Sequence, residues 1–387
     1  MTTKLYIVRH CEAEGNLYRR CHGHCDGLLT ENGKAQRARL EQYFKDLPVD
    51  RVFSSDLSRA VATALSVARP KGLPVETRAE LREMKLGAWE DMPWGEVAER
   101  YAMQYEHFSN SPHLFSLPDA ENAAQAQARL YAALRAVAEE CRGRTAVVVS
   151  HGLAIRLTMA RLLGYPPEQI GEVTHFDNAS VSLVEWEDAP AVLFRGHNEH
   201  LGTLSTFAKQ SWWRKDAAHK EVNLRFAPAA LPEDAEAAAS MQAQAWKTVY
   251  GSLDGFHGAA MLNNALRVSA ADPQNVMFAL YKGERVGLLT LDPHQEQDSP
   301  SGHISLLYLR EDLCGRGLGV QLLGQAVSHY RKQGKTALRL RVAPSNLRAR
   351  RFYEKHGFRP DGQEDAPGGT LLILRKSIVW DNEMEYA

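Results

Sequence analysis

The sequence of 387 residues lacks several features that would each assign it to a particular class of protein. It has no apolar run that approaches the roughly 20 residues of a membrane-spanning helix. Its first residues show no basic stretch followed by an apolar core, as a secretory signal would. It also lacks a charge excess, because 46 basic residues nearly balance 47 acidic ones. We therefore expect neither a membrane nor a nucleic acid as partner.

Cysteine is scarce as well, with five residues in the whole chain. A low, odd number of cysteines is typical of reduced thiols, so we expect a cytoplasmic protein. Residues 21–25 nevertheless hold two cysteines and two histidines, which are potential metal ligands. Four ligands within five residues do not easily reach one tetrahedral ion, and no second ligand pair follows at a typical spacing. We predict no metal site from this segment.

The length and the residue pattern indicate two domains. In the first part, short apolar strands alternate with helices, which is typical of an α/β fold with a mostly parallel sheet. A polar, mixed stretch then precedes a second set of strands and helices. We place the first domain at 1–205, a linker at 206–220, the second domain at 221–378 and a C-terminal tail at 379–387.

Two apolar runs in the first domain are each followed by a histidine within two residues. Residues 4–8 lead into Arg9 and His10, and residues 145–150 lead into His151. Ligands in α/β sheets bind beyond the carboxyl ends of the strands, so these side chains are candidates for chemistry. Arg59 lies at the start of a helix, where free amides and the helix dipole attract anions. Arg9 and His10 alone fit an ordinary surface loop equally well, and the rest of the chain decides.

These residues belong to an ordered set of motifs. The set comprises Arg9-His10 with Asn16, Leu29-Thr30-Glu31-x-Gly33, Ser55-x-x-x-Arg59-Ala60, Glu83 ahead of Gly87-x-Trp89-Glu90, Ser150-His151-Gly152 and Asn198-x-His200-Leu201. It resembles the histidine phosphatase (phosphoglycerate mutase-like) superfamily over about residues 3–205. The resemblance implies a three-layer α/β/α fold with a mostly parallel sheet.

The resemblance also implies roles in phosphoryl transfer without a metal. His10 would be the nucleophile, which suits an imidazole that is largely neutral at pH 7, and would carry the phosphoryl group covalently. Arg9, Arg59 and His151 would surround the phosphoryl oxygens, since guanidinium groups match phosphate geometry. Glu83 would protonate the leaving oxygen and then activate water.

Asn16, His22 and Gly23 would contact the substrate by the same resemblance. The sequence departs from the family pattern at three places. Cys11 replaces a common glycine, His22 replaces a common glutamine, and residues 119–122 stand where Gly-Glu-Ser is usual. The domain lacks the longer insertion that mutases of the family usually carry after the glutamate. We therefore expect a phosphatase that acts on a small phosphorylated metabolite, with a phosphoglycerate mutase-type phosphotransferase as the alternative.

A glycine-rich loop distinguishes the second domain. The loop, Leu313-Cys314-Gly315-Arg316-Gly317-Leu318-Gly319, follows a strand and opens a helix, but it has neither the dinucleotide-binding spacing nor the lysine of a P-loop. Its glycines would let backbone amides approach a pyrophosphate. With Asn346-x-x-Ala349-x-x-Phe352-Tyr353-Glu354-Lys355-x-Gly357-Phe358, it resembles the GNAT acetyltransferases over about residues 222–376.

The second resemblance implies a mixed α/β GNAT fold that binds acetyl-CoA and acetylates an amine. Backbone groups of Leu307 and Leu309 would pair with the pantetheine arm, Asn346 would contact the cofactor, and Tyr353 would protonate the departing thiolate. His303 and a water chain are both candidates for the base. The alternative is a phosphatase with a non-catalytic acyl-CoA-binding or interaction domain. The residues implied to hold the pyrophosphate are Gly315, Arg316, Gly317, Leu318, Gly319 and Val320.

Overall fold

The computed structural model describes residues 1–210, 223–295, 299–366 and 369–380. The chain divides into two compact units, Met1–Met92 with Val97–Lys220 and Pro93–Glu96 with Glu221–Ala387. Within the described ranges, no helix combines the length and the apolar content that crossing a membrane requires.

A six-stranded sheet is the central layer of the first unit. β1 to β4 run parallel to one another, and the pair β5–β6 adds two antiparallel strands at one side. The mostly parallel sheet that the sequence predicts is therefore confirmed. The strands lie in the order β3-β2-β4-β1-β5-β6 and are β1 (Thr3–Arg9), β2 (Arg51–Ser54), β3 (Val75–Thr77), β4 (Thr145–Ser150), β5 (Val181–Trp186) and β6 (Pro190–His197).

The central strands β1 and β4 are apolar because helices cover both faces of the sheet at this point. Their register pairs Val8 with Val149 and Arg9 with Ser150, so the two strands end level with each other. The helices between residues 14 and 209 are α1 (Glu14–Tyr18), α2 (Glu31–Phe44), α3 (Ser58–Ala68), α4 (Trp94–Arg100), α5 (Ala102–Asn110), α6 (Ala123–Glu140), α7 (Gly152–Leu162) and α8 (Thr206–Lys209).

The predicted linker begins inside the first unit. Its first residues form α8, where the Thr206 hydroxyl donates to Glu12 Oε2 at 3.0 Å and accepts a hydrogen bond from Gln36 Nε2 at 3.1 Å. The rest of the predicted linker, residues 211–220, and most of the predicted tail, residues 381–387, lie outside the described residues.

The second unit contains a seven-stranded mixed sheet, which confirms the mixed α/β fold that the GNAT resemblance implies. Only β10 and β11 pair in parallel among the described strands of this sheet. The order is β12-β13-β11-β10-β9-β8-β7, with β7 (Arg225–Pro228), β8 (Val276–Tyr281), β9 (Glu284–Leu291), β10 (Ser301–Leu309), β11 (Ala337–Val342), β12 (Arg359–Ala366) and β13 (Gly369–Ser377). The accompanying helices are α9 (Ala235–Tyr250), α10 (Gly258–Ala271), α11 (Gly319–Lys332) and α12 (Leu347–Lys355).

Candidate active site

His10 and His151 follow the adjacent ends of β1 and β4 and lie next to each other. Their ring centroids are 5.1 Å apart, and both side chains are buried. The backbone amide of His10 donates to Ser150 O at 2.9 Å, which ties the end of β1 to that of β4. The sequence placed both histidines at strand ends, and the register of the sheet brings these ends together.

The tautomer of His10 follows from its own hydrogen bond. His10 Nδ1 lies 2.7 Å from Cys11 O. A carbonyl oxygen can only accept, so Nδ1 carries the ring proton and Nε2 keeps its lone pair. An imidazole in this state can attack an electrophile through Nε2.

Arg59 is 1% exposed and is held by the segment that contains His22 and Gly23. Its Nη1 donates to Cys25 O at 2.9 Å, and its Nη2 donates to Gly23 O at 2.8 Å and to His22 O at 3.3 Å. These carbonyls orient the guanidinium group at the start of α3. The carbonyl acceptors are neutral, and the nearest carboxylate oxygen, Asp26 Oδ1, lies 3.9 Å from Nη1. The guanidinium group can therefore still bind an anion.

Arg9 packs against the start of α7. Its Nη1 donates to Phe176 O at 2.5 Å. A Cβ atom on Gly152 would lie 3.0 Å from Arg9 Nε. The glycine of the Ser150-His151-Gly152 motif therefore leaves the space that the Arg9 guanidinium group occupies.

Burial, followed by the charges of Arg59 and Arg9, lowers the pKa of His10 well below 6.5. Burial and Arg59 lower the pKa of His151 in the same direction. Both rings are therefore neutral near pH 7. The two ring nitrogens of His151 are buried with no hydrogen-bond partner among the described residues. Since buried polar atoms are nearly always paired, these nitrogens are available to hydrogen bond with a group that enters the site.

Glu83 is positioned by the first turn of α7. Its carboxylate accepts hydrogen bonds from the amides of Ala154 at 2.8 Å and Leu153 at 3.0 Å, and from that of Met84 at 2.9 Å. Burial lowers the pKa of both Arg9 and Arg59. The charge of Glu83 opposes this effect on both arginines, after the charge of Asp177 on Arg9 and that of Asp26 on Arg59. The acidic group predicted from the sequence thus belongs to the same cluster as the two arginines.

Asn16 contacts the backbone support of His10. Its Oδ1 accepts from Ala13 N at 3.0 Å and from Asn178 Nδ2 at 3.2 Å, and Asn178 Nδ2 also donates to His10 O at 3.0 Å. Asn178 was not predicted from the sequence. Its only signal there is the polar pair Asp177-Asn178 two residues before β5, which is also typical of an ordinary turn.

Glu90 is a second positioning residue that sequence reasoning named only as part of a motif. Its carboxylate accepts from the amides of Cys25 at 2.7 Å, His24 at 2.8 Å and Gly23 at 3.2 Å. It therefore fixes the segment whose carbonyl oxygens hold Arg59.

In the second unit, β10 and β11 separate where the predicted pantetheine contacts lie. Their pairing ends at Ile304–Leu340 beside an irregularity in β10, although both strands continue, to Leu309 and Val342. Leu307 and Leu309 therefore lie beyond the paired part of the two strands. An extended ligand arm could hydrogen bond to backbone groups exposed in this way.

The glycine-rich loop leads from this opening into α11. Gly315 and Gly317 have φ angles of 80° and 77°, which disfavour other residue types, and a Cβ on either would meet no atom within 4 Å. Leu318 precedes α11 without a side-chain cap, so Gly319, Val320 and their neighbours present helix amides. Arg316 lies between the two glycines.

Three side chains of the second unit complete the predicted set. Asn346 caps α12, with its Oδ1 accepting from Ala349 N at 3.0 Å. Tyr353 is buried, and burial raises the pKa of its hydroxyl, so it stays protonated. Burial, followed by the charge of Arg341, lowers the pKa of His303 to about 4. His303 is therefore neutral near pH 7, and its Nδ1 has no partner among the described residues.

The site around His10 and His151 predicts that stabilisation of the protein by sulfate depends on pH. Because the pKa values of His10 and His151 are lowered, stability is lost as pH falls from 6.5 through these values. A bound dianion would raise both pKa values, so sulfate binding would take up protons. We expect sulfate to raise the melting temperature more at about pH 5 than at about pH 8, compared with chloride at equal ionic strength. Equal sulfate-induced shifts in melting temperature at the two pH values would contradict this arrangement. So would a His151→Asn variant in which the difference between the two shifts is as large as in the unaltered chain.

Comparisons with known proteins cover both units. Residues 5–198 match the model of the histidine phosphatase superfamily (branch 1), and residues 242–358 match that of the acetyltransferase (GNAT) family. The chain is 32% identical over 194 residues to "Phosphoserine phosphatase 1" of Hydrogenobacter thermophilus, which covers 50% of this chain and 90% of that protein.

A second relative, "Probable phosphoglycerate mutase GpmB" of Yersinia pestis, is 30% identical over 187 residues, which covers 48% of this chain and 86% of the relative. Among solved structures, that of "Bacillus stearothermophilus YhfR" is 28% identical with a TM-score of 0.50, and covers 51% of this chain and 99% of its own. These three similarities extend over about half of the present chain.

Proposed function

This chain belongs to the histidine phosphatase superfamily (branch 1) and also contains a GNAT-family domain, and on this basis we propose that its first unit hydrolyses phosphomonoesters through a phosphohistidine at His10. The observation that carries the proposal is the hydrogen bond from His10 Nδ1 to Cys11 O, beside His151 and buried Arg59. It leaves Nε2 as a nucleophile among cationic groups that suit a phosphoryl group.

In the first step, His10 Nε2 forms a bond to phosphorus, and the bond from phosphorus to the ester oxygen breaks. Glu83, which takes up a proton as the phosphomonoester binds, transfers that proton to the departing oxygen, which leaves as an alcohol. Arg9 and Arg59 neutralise charge on the phosphoryl oxygens, and His151 offers a ring nitrogen to the same group. In the second step, a water oxygen forms a bond to phosphorus and gives a proton to Glu83, while the bond from phosphorus to His10 Nε2 breaks. Inorganic phosphate leaves, and His10 is restored.

We propose a small phosphorylated metabolite as the substrate. The two relatives are named for phosphoserine and for phosphoglycerate, both of which are small phosphorylated acids. The test is phosphate release by the full chain from a panel of such phosphomonoesters in the presence of a chelator. Release of inorganic phosphate supports a phosphatase, whereas interconversion of phosphoglycerate isomers without release would support the mutase alternative.

For the second unit, we propose transfer of an acetyl group from acetyl-CoA to an amine. The separated strands β10 and β11 would receive the pantetheine arm, and the loop from Gly315 to Val320 would hold the pyrophosphate. Tyr353, protonated through burial, would donate a proton to the departing CoA thiolate. His303 or a water chain would remove the amine proton. The alternative is an acyl-CoA-binding unit without turnover.

Acetyl-CoA is expected to raise the melting temperature of the second unit. The variant Tyr353→Phe is expected to show the same shift in melting temperature but to acetylate a panel of amines about 10²-fold more slowly. The reason is that the phenylalanine ring fills the same space but has no proton to donate. Tyr250→Phe is the matched control, since Tyr250 is exposed. No shift with acetyl-CoA would contradict both interpretations of this unit, and a shift without turnover would leave the binding alternative.

A further inference from the structure

Asp91 approaches two of the potential metal ligands within residues 21–25. One ligand atom each from His22, Cys25 and Asp91 lies within 4.8 Å of the others, and His22 Nε2 is 3.8 Å from Asp91 Oδ1. Neighbouring ligand atoms of a tetrahedral zinc site lie about 3 to 4 Å apart. Sequence spacing argued against a site confined to residues 21–25, but the chain fold supplies the third ligand from outside this segment.

The His22 ring is held in one orientation. Its side chain is 7% exposed, and a Cβ on either Gly15 or Gly27 would lie 2.6 Å from a ring carbon. Both glycines lie close to the Nδ1 edge, where Nδ1 has no hydrogen-bond partner among the described residues. Nε2 is the ring nitrogen on the side of Asp91, and it is therefore the available ligand atom.

The surrounding backbone holds Asp91 opposite this segment. The amide of Asp91 donates to Cys21 O at 2.8 Å, and the amide of Cys21 donates to Met92 O at 2.9 Å. Arg20 Nε donates to Asp91 Oδ1 at 2.7 Å and orients the carboxylate. A carboxylate offers about four lone-pair positions, so it can bind a cation as well as this guanidinium. Such supporting hydrogen bonds are usual around protein metal ligands.

From this geometry we propose that His22, Cys25 and Asp91 form a site for a thiophilic divalent cation of the zinc class, and that its occupation slows the phosphatase reaction. On binding, the Cys25 thiol releases its proton to solvent and its sulfur bonds to the cation. The thiolate and the carboxylate, which Arg20 continues to hydrogen bond, are the two anionic ligands, with neutral imidazole as third ligand and water as fourth. A thiolate and an imidazole favour zinc over magnesium or calcium.

Cation binding would affect the phosphatase reaction through Arg59. The same segment that supplies His22 and Cys25 supplies the three carbonyl oxygens that hold its guanidinium group. A cation that draws the two side chains together would move these carbonyls, and with them the group that binds the phosphoryl oxygens. This second part rests on the proposed phosphatase function, whereas cation binding does not.

The site is tested with cobalt(II) added to the full chain. We expect a near-ultraviolet thiolate-to-cobalt absorption band that Cys25→Ser abolishes and that Cys141→Ser, which removes a different thiol, retains. Asp91→Asn should weaken cobalt binding at least about tenfold, since losing even an outer-shell partner costs that much. Absence of the band in the unaltered chain, or its persistence in Cys25→Ser, would overturn the site.

The link is tested with zinc in a phosphomonoester assay. Zinc is expected to lower kcat/KM, a chelator to restore it, and Cys25→Ser to be insensitive to zinc. Competition with cobalt shows whether the chain holds zinc. If the zinc-bound chain turns over phosphomonoester at an unchanged rate, the link to Arg59 is overturned. Equal inhibition of the unaltered chain and of Cys25→Ser by zinc would also overturn it. If no phosphomonoester is hydrolysed at all, the proposed function fails while the cobalt result still decides the site.

Discussion

Replacing His10 with alanine is expected to abolish phosphomonoester hydrolysis, with a fall in kcat of at least about 10⁴-fold. The variant keeps Arg9 and Arg59, which are proposed to bind the phosphoryl group, but has no atom that can form the covalent bond. Substrate binding should therefore survive, as measured by the protection that sulfate or phosphate gives against thermal unfolding. The measurement is steady-state release of inorganic phosphate by full-length protein.

The matched control for this variant is His197→Ala. His197 stacks on His200 in the same unit, with ring centroids 5.7 Å apart, and has no role in the proposed reaction. We expect it to retain turnover close to that of the unaltered chain. Near-normal turnover in His10→Ala, with the control intact, would contradict a phosphohistidine mechanism.

Arg59→Lys is expected to lower kcat/KM by about 10³-fold, although the substitution keeps the positive charge. Lysine has one ammonium group, which cannot hold three carbonyl oxygens and a phosphate in the planar arrangement of a guanidinium group. The carbonyls of Cys25, Gly23 and His22 would lose part of their hydrogen bonding. The loss is measured with a small phosphomonoester at substrate concentrations well below KM.

Arg156→Lys is the control that separates the loss of activity in Arg59→Lys from the loss of stability expected when any buried arginine is replaced. Arg156 is also buried, on α7, and donates to Val173 O at 2.7 Å and to Ile170 O at 3.1 Å. Both variants should unfold at lower temperature, but only Arg59→Lys should lose most of its activity in the folded state. Equal activity of the two folded variants would count against the role of Arg59.

The sequence predicts the first fold well because its strands are short apolar runs that end at marked polar residues. The run before Arg9 and the run before His151 each form one buried strand, and a parallel sheet places their ends at one edge. A structure was needed to show that β1 and β4 are neighbours. Sequence order separates them by two other strands, so pattern alone does not determine their pairing.

The positioning residues were harder to predict. Asn178 and Glu90 act on backbone groups that are distant in sequence, His10 O and the amides of residues 23–25. Asp91 joins His22 and Cys25 for the same reason. Such contacts depend on how loops cross in three dimensions, and the residue types involved are also common in ordinary turns.

One strand of the second unit has no sequence signal. β12, Arg359–Ala366, contains Pro360 and Gly362 among charged residues, where a strand pattern would show alternating apolar side chains. It lies at the edge of its sheet and pairs only with β13 among the described strands, so most of its side chains are exposed. An edge strand of this kind is stabilised by backbone pairing more than by burial, and proline is tolerated there.

The most direct test of the account is to trap the reaction intermediate. The full chain is mixed with a hydrolysable phosphomonoester, quenched in alkali to preserve an acid-labile phosphoramidate, digested and analysed by mass spectrometry. A phosphohistidine mechanism predicts a phosphoryl group on the peptide that contains His10, at a level that rises and decays with turnover. Steady turnover with no phosphorylated His10 peptide, or with the phosphoryl group on another residue, would contradict it.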